Sequence, residues 1–121
     1  MRQTISISAC ANRLLKENEK YDKEMTRRRM EAKNEAVRIA ALLRSQDPKI
    51  TRIWGFGSVF ENSRPFSANS DIDLAIEGGD YFKAFKIVER SSFKIDLIDI
   101  TEKYDSFASH IRKHGTNLVI F

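Results

Sequence analysis

The sequence predicts a single α/β (α+β) domain, a small mixed sheet with helices packed on it, preceded by a polar N-terminal helix. Three observations carry this. A long uninterrupted helical stretch ends at Asp47-Pro48. Two strictly alternating segments follow, DIDLAIE (Asp71 to Glu77) and KIDLIDI (Lys94 to Ile100), as strands require. Between them lies a segment of helical periodicity, which makes a strand–helix–strand unit.

Element by element, Asn12 to Ser45 reads as helix. Leu14, Tyr21, Met25, Ala32, Ala36, Ile39 and Leu43 recur at spacings that keep them on one stripe, and no Pro or Gly interrupts. The residue before Pro48 disfavours helix and stops it. The half up to Arg29 is so polar that it reads as an extension (residues 1–29) ahead of the domain proper (30–121), as a separate helix or one ordered by a partner. TISIS, residues 4 to 8, alternates and predicts a short strand. ITRIWGF predicts a strand ending at Gly57-Ser58. DYFKAFKIVER predicts a helix capped by Asp80, with Tyr81, Phe85 and Val88 on its inner face. Glu102 to His114 predicts a helix with Phe107 and Ile111 facing in and Gly115 as its C-cap. NLVIF predicts a last apolar strand.

Composition narrows the function classes. At 121 residues with 41% apolar content the chain suits one soluble domain. No apolar run is long enough to span a bilayer, and the N-terminus lacks the apolar core of a signal peptide, which predicts a cytoplasmic protein. The single cysteine, Cys10, offers no internal disulfide, and no Cys/His cluster suggests zinc. The net charge of +4 is uneven: Arg13 to Arg52 holds 12 Lys/Arg against 7 Asp/Glu, and Ile53 to Phe121 holds 8 against 10. The run Arg27-Arg28-Arg29 is either a solvated helix face or a patch for an anionic partner.

The chemistry concentrates in GFGSVFENSRPFSANSDIDLAIEGG, Gly55 to Gly79. On a strand Asp71 and Asp73 share a face, their Cβ atoms about 6–7 Å apart, while Ile72, Leu74 and Ile76 point to the other. Two carboxylates so placed repel unless a cation lies between them. Hard oxygen ligands without His or Cys favour Mg²⁺ or Mn²⁺. Of the two aspartates on KIDLIDI, Asp96 sits mid-strand, where an unpaired charge is costly, and is the better third ligand; Asp99 is nearer the strand end and reads as a surface carboxylate. At the end of the preceding strand Gly57 and Ser58 offer a backbone turn and a hydroxyl to a phosphate. No GK[ST] follows and no third glycine completes a dinucleotide fingerprint. A phosphate grip beside three carboxylates is equipment for metal-assisted phosphoryl or nucleotidyl transfer. His110 and His114, without a third ligand, read as a solvated last helical turn. Trp54 reads as core, whereas Phe60 and Phe66 read either as loop anchors or as flanks of a nucleotide base.

Gly57-Ser58, Ser70-Asp71-Ile72-Asp73-Leu74 and Ile95-Asp96-Leu97 together resemble the nucleotidyltransferase superfamily that includes DNA polymerase β. The pattern looks most like its minimal nucleotidyltransferases (MNT), which are often antitoxins paired with HEPN-domain toxins. The resemblance spans the elements from Lys33 onward. It implies a nucleotidyltransferase-like fold in which Asp71, Asp73 and Asp96 hold two Mg²⁺ ions and Asp96 helps activate the attacking hydroxyl. Gly57, Ser58, Ser70 and Arg64 would hold the phosphates of ATP or another nucleoside triphosphate. The twelve-residue spacer Val59 to Ser70 is longer than the family's usual, and Val59 and Asn62 stand where many members have a basic residue and a glycine. The acceptor domain of larger relatives is missing, which implies transfer of AMP to a partner protein such as a HEPN toxin. The alternatives are an antitoxin that neutralises its partner by binding alone, and transfer to RNA or a small molecule. The nucleotide base and the oligomeric state stay open.

Overall fold

The computed structural model describes residues 2–61, 66–67 and 70–119, with side chains from residue 18 onward. Helix α1 (Arg2–Gln46) leads into strands β1 (Arg52–Phe56) and β2 (Ile72–Glu77). Helix α2 (Tyr81–Val88), strand β3 (Ile95–Asp99), helix α3 (Ser106–His114) and the short strand β4 (Thr116–Asn117) follow. The expected α+β class is the one observed.

Helix α1 runs without a break through residues 4 to 8, where the alternation of TISIS had predicted a strand. A helix closes its hydrogen bonds within itself, whereas a strand there would need a partner to do so. It is also continuous across position 29, so no backbone break separates the polar extension from the rest. Among the described side chains its burial starts at Ala32 and continues through Ala36, Ile39, Ala40 and Leu43. Tyr21, placed on the same stripe by its spacing, is 58% exposed, because it precedes the stretch of α1, from Ala32 on, that packs into the core.

The sheet is mixed, with order β3-β2-β1-β4. β1 pairs antiparallel with β2 and β4, and β2 pairs parallel with β3 through the α2 crossover. One face buries Ile53, Ile72, Leu74, Ile76 and Leu97 against α1 and α2. The other packs Ala75 and Ile100 against Ala108 and Ile111 of α3, flanked by Trp54, Phe56 and Ile98. Small residues at 75 and 108 let α3 sit close to the sheet. The cap of α2 is as expected: the Asp80 carboxylate accepts from the backbone N–H groups of Phe82 and Lys83. Its inner face is Ala84 and Val88 with Tyr81 partly buried, and Phe85 stands at its shoulder, 40% exposed. The Tyr81 hydroxyl donates to the Leu97 carbonyl at 2.9 Å, on the strand at the sheet's edge.

Helix α3 starts later than the sequence suggests, at Ser106, with Asp105 capping Ala108 N–H. Phe107, expected to face in, is 55% exposed and lies edge-on to Phe56, ring centroids 6.0 Å apart. The inward positions are Ala108 and Ile111, packed on Ala75 and Ile100. Gly115 caps the helix at φ −71°, and a Cβ there would come within 2.5 Å of the Ile111 carbonyl oxygen. The last strand is shorter than NLVIF and begins one residue earlier. Leu118 N–H still reaches Ile53 O at 2.8 Å and Val119 is in the core. Residues 120 and 121 lie outside the described residues.

Asp47 ties the end of α1 to the start of α2. It is 8% exposed and accepts from Asp80 N–H (2.8 Å) and Lys49 N–H (3.2 Å). These bonds, the Asp80 one foremost, hold its carboxyl below the usual range against the opposing effect of burial. Gly79 makes the approach possible, since at φ +79° a Cβ would sit 2.7 Å from Asp47 Oδ2. Asp47→Ala is expected to cost about 1 kcal/mol by removing the partner of the Asp80 and Lys49 N–H groups. Because the folded pKa is depressed, this contribution is present above the unfolded value of about 3.9 and fades as pH falls below it. Denaturant midpoints of both proteins at pH 7 and pH 3 check this: the gap narrows at pH 3.

Candidate active site

β1 ends at Phe56, and Gly57, at φ +77°, turns the chain away from the sheet. Phe60 N–H and Glu61 N–H both donate to the Gly57 carbonyl, at 3.1 and 2.8 Å, so residues 57 to 61 form one tight turn. Val59 is fully buried in this turn, pointing into the core. Phe60 slides under the strand, where a Cβ on Gly55 would meet its ring at 2.5 Å. Phe66 packs against the main core and lies 5.4 Å below the Arg29 guanidinium. Both rings therefore serve as loop anchors. Ser58 is half-buried at the start of the turn. Ser70 Oγ accepts from Ser67 N–H at 2.9 Å and closes the loop ahead of β2. Arg64 lies outside the described residues.

The ladders set the carboxylates. Asp73 stands opposite Phe56 on β1 and beside Asp96 on β3. Asp71, one residue before β2, shares their face by alternation. The three therefore line the α3 side of the sheet, beyond the end that α3 itself covers. Asp96 is exposed, in contrast to the desolvated mid-strand position its apolar neighbours suggest. β3 is an edge strand, so its face there is open. Asp99 pairs in register with Ile76, on the opposite face, and accepts from both the N–H (2.9 Å) and hydroxyl (2.5 Å) of Thr101. It takes no part in the row.

The closest join is between Gly57 and Asp73. A Cβ on Gly57 would collide with Asp73 Oδ2, so the carboxylate lies directly against the glycine backbone. The turn and the carboxylate, separated by a long loop in sequence, touch in space. Asp71 is drawn to Lys94, Nζ to Oδ2 3.5 Å. Among the described residues no three His, Cys, Asp or Glu side chains stand gathered for a metal ion. The donor set on this face nevertheless has the character of a Mg²⁺ or Mn²⁺ site: carboxylate oxygens alone, two of them neighbours in the ladder. Gly57→Ala is expected to lower stability by about 1–2 kcal/mol through its left-handed backbone and to displace Asp73. Thermal unfolding measures the effect on stability; a variant as stable as the parent would overturn the geometry.

Two polar links were not foreseen from the sequence. Glu77, at the far end of β2, accepts from Arg112 (Nη2 2.8 Å, Nε 3.0 Å) and from Trp54 Nε1 (2.8 Å). Arg112 also donates to the carbonyls of Ile100 and Lys103 and lies 5.0 Å over the Tyr104 ring. At the near end, His110 Nε2 lies 3.6 Å from Glu61 Oε1, and its ring is 4.7 Å from that of His114. The basic run is partly neutralised. Arg27 pairs with Glu24 and Glu31, and Arg28 pairs with Glu24. Hydrogen bonds from Arg28 and then Arg27 hold the Glu24 carboxyl below its ordinary range.

No helix among the described residues is long and apolar enough to cross a membrane. No family model matches the chain, and no curated protein matches it. Among solved structures, a chain of the toxin–antitoxin complex MntA-HpeT, crystallised as an Asp-to-Glu double mutant, matches with a TM-score of 0.51 and 23% identity. The match covers 71% of this chain and 73% of that one. At this identity the likeness is one of fold.

Proposed function

We propose that this protein is a metal-dependent nucleotidyltransferase acting as the antitoxin of a toxin–antitoxin pair. It would transfer AMP from ATP to a hydroxyl of its partner protein, of which a HEPN-type toxin is the leading candidate. The observation that carries the reading is the junction of Gly57 with Asp73, itself beside Asp96. The fold shared with a chain of a toxin–antitoxin complex supports the setting.

In this reading the Gly57-Ser58 turn holds the triphosphate by backbone N–H groups and the Ser58 hydroxyl. Asp71, Asp73 and Asp96 would hold Mg²⁺, which supplies positive charge to the entering and leaving oxygens. Asp96, the most open of the three, takes the proton of the acceptor hydroxyl. The hydroxyl oxygen then forms a bond to the α-phosphorus as the bond to pyrophosphate breaks. The test is incubation with ATP labelled at the α-phosphate, Mg²⁺ and the product of the neighbouring gene. Label is expected on that protein; its absence, with the ATP intact, overturns the reading.

Two observations favour a second reading, neutralisation by contact alone: Asp71 leans to Lys94, and among the described residues no three carboxylates are gathered. Asp73→Ala separates the two. Survival of neutralisation in that variant points to contact, and its loss to chemistry. Transfer to RNA has less support, since Arg27 and Arg28 are engaged by Glu24 and Glu31.

A further inference from the structure

The carboxylate row has a fourth charged corner. β2 and β3 run parallel, with Ile72 beside Ile95 and Asp73 beside Asp96. The ladder continues one residue earlier: Ile72 N–H donates to the Lys94 carbonyl at 3.0 Å, which brings Lys94 beside Asp71. Alternation sends residues 71, 73, 94 and 96 to one face. Two of these side chains meet there, Lys94 Nζ lying 3.5 Å from Asp71 Oδ2. Three carboxylates and one ammonium thus form a two-by-two array across neighbouring strands.

Stability gives this ammonium little to do. The Lys94 side chain is 79% exposed and that of Asp71 29% exposed, and ion pairs so open to water contribute little. Its charge matters more to a cation on the same face. A divalent ion held by the row is repelled by the ammonium, and it draws on Asp71, which Lys94 already engages. The pair also offers a reason why no three carboxylates stand gathered among the described residues.

Resting on the metal-binding reading of the row, we propose that Lys94 is a resident counter-ion that a divalent cation displaces. The ammonium balances Asp71, and uptake of the metal exchanges the Asp71–Lys94 pair for an Asp71–metal contact. Lys94 is then neither a ligand nor a catalytic residue. It sets how tightly the row holds its ion, and the ladder that fixes its backbone beside Asp71 keeps it there to compete.

The experiment measures the binding of Mn²⁺ alone, without nucleotide, to the full chain, from the loss of the electron paramagnetic resonance signal of free Mn²⁺. Lys94→Met is expected to bind the ion roughly tenfold more tightly than the parent, the scale of one charge removed near a divalent cation in a partly solvated site. Lys94→Arg keeps the charge and should stay near parental affinity. Lys86→Met makes the same change of charge on α2, across the sheet, and should stay within about twofold, since screening mutes distant charges. Thermal unfolding of each variant accompanies the titrations. A merely structural role for Lys94 has the opposite sign: Lys94→Met would bind Mn²⁺ more weakly and unfold at a lower temperature. Lys94→Met binding like the parent or more weakly, or Lys86→Met gaining as much, overturns the inference. Asp73→Asn locates the ion. If that variant binds Mn²⁺ like the parent, or if neither the parent nor Lys94→Met binds any, the metal reading of the row fails first, and the inference with it.

Discussion

In the proposed reaction, Asp73→Asn is expected to reduce nucleotidyl transfer by a factor on the order of 10²–10³ or more, the loss seen when one group stabilising transition-state charge is removed. Asp73 is the residue through which the site is assembled. Its carboxylate lies against the Gly57 backbone, its strand neighbour is Asp96, and Asp71 precedes it on the same face. Asparagine keeps the size and the polar contact with the turn but removes the charge that a divalent cation requires. The fold should tolerate the change, since Asp73 is only half-buried. Asp99→Asn is the matched control: it removes a carboxylate from the same pair of strands, on the other face, and should leave transfer within about twofold, as expected of a surface change outside the site. Transfer of labelled AMP by the two variants, at equal unfolding temperature, gives the comparison. Equal activity of Asp73→Asn and the parent would remove the carboxylate row from the chemistry.

The largest effect on stability is expected at the opposite end of the same strand. Arg112→Met should cost about 2–4 kcal/mol, because it leaves the Glu77 carboxylate partly buried without its hydrogen-bonded guanidinium, Arg52 acting on it only through the weaker Coulomb attraction. Burial by itself raises the Glu77 pKa; the bonds from Arg112 and Trp54 outweigh it and leave the carboxyl below its ordinary range. The folded pKa being lowered, the stabilisation is complete above the unfolded value of about 4.3 and is lost as pH falls through it. Denaturant midpoints should therefore show the widest gap between Arg112→Met and the parent near pH 7, closing toward pH 3. Glu77→Gln added to Arg112→Met should recover part of the loss at pH 7, since the stranded charge is then gone.

Much of this fold is legible in residue order. The alternation of DIDLAIE and KIDLIDI marks two strands and the shared face of Asp71 and Asp73. Asp80 and Pro48 mark helix ends. Period-2 spacing states which residues share a face, but not which strand lies at the edge. That is why the apolar neighbours of Asp96 suggest burial while the strand order exposes it. The same spacing misleads at TISIS, where no partner strand supports it and the helix simply continues. Phe107 differs for another reason: helical period identifies an inward arc but not its centre, which falls on Ala108 and Ile111 and leaves Phe107 at the rim against Phe56. The Glu61–His110 and Glu77–Arg112 links join residues far apart in the chain and carry no local pattern.

The antiparallel pairing of Phe56 with Asp73 has a consequence for the stretch between them. Backbone hydrogen bonds clamp both ends of that stretch, so the distance from Gly57 to the carboxylate is independent of how many residues intervene. The buried Val59 and the anchoring Phe60 extend that clamp one turn past Gly57, so the base of the carboxylate row is held by short-range contacts on both sides, like a bracket bolted at each end.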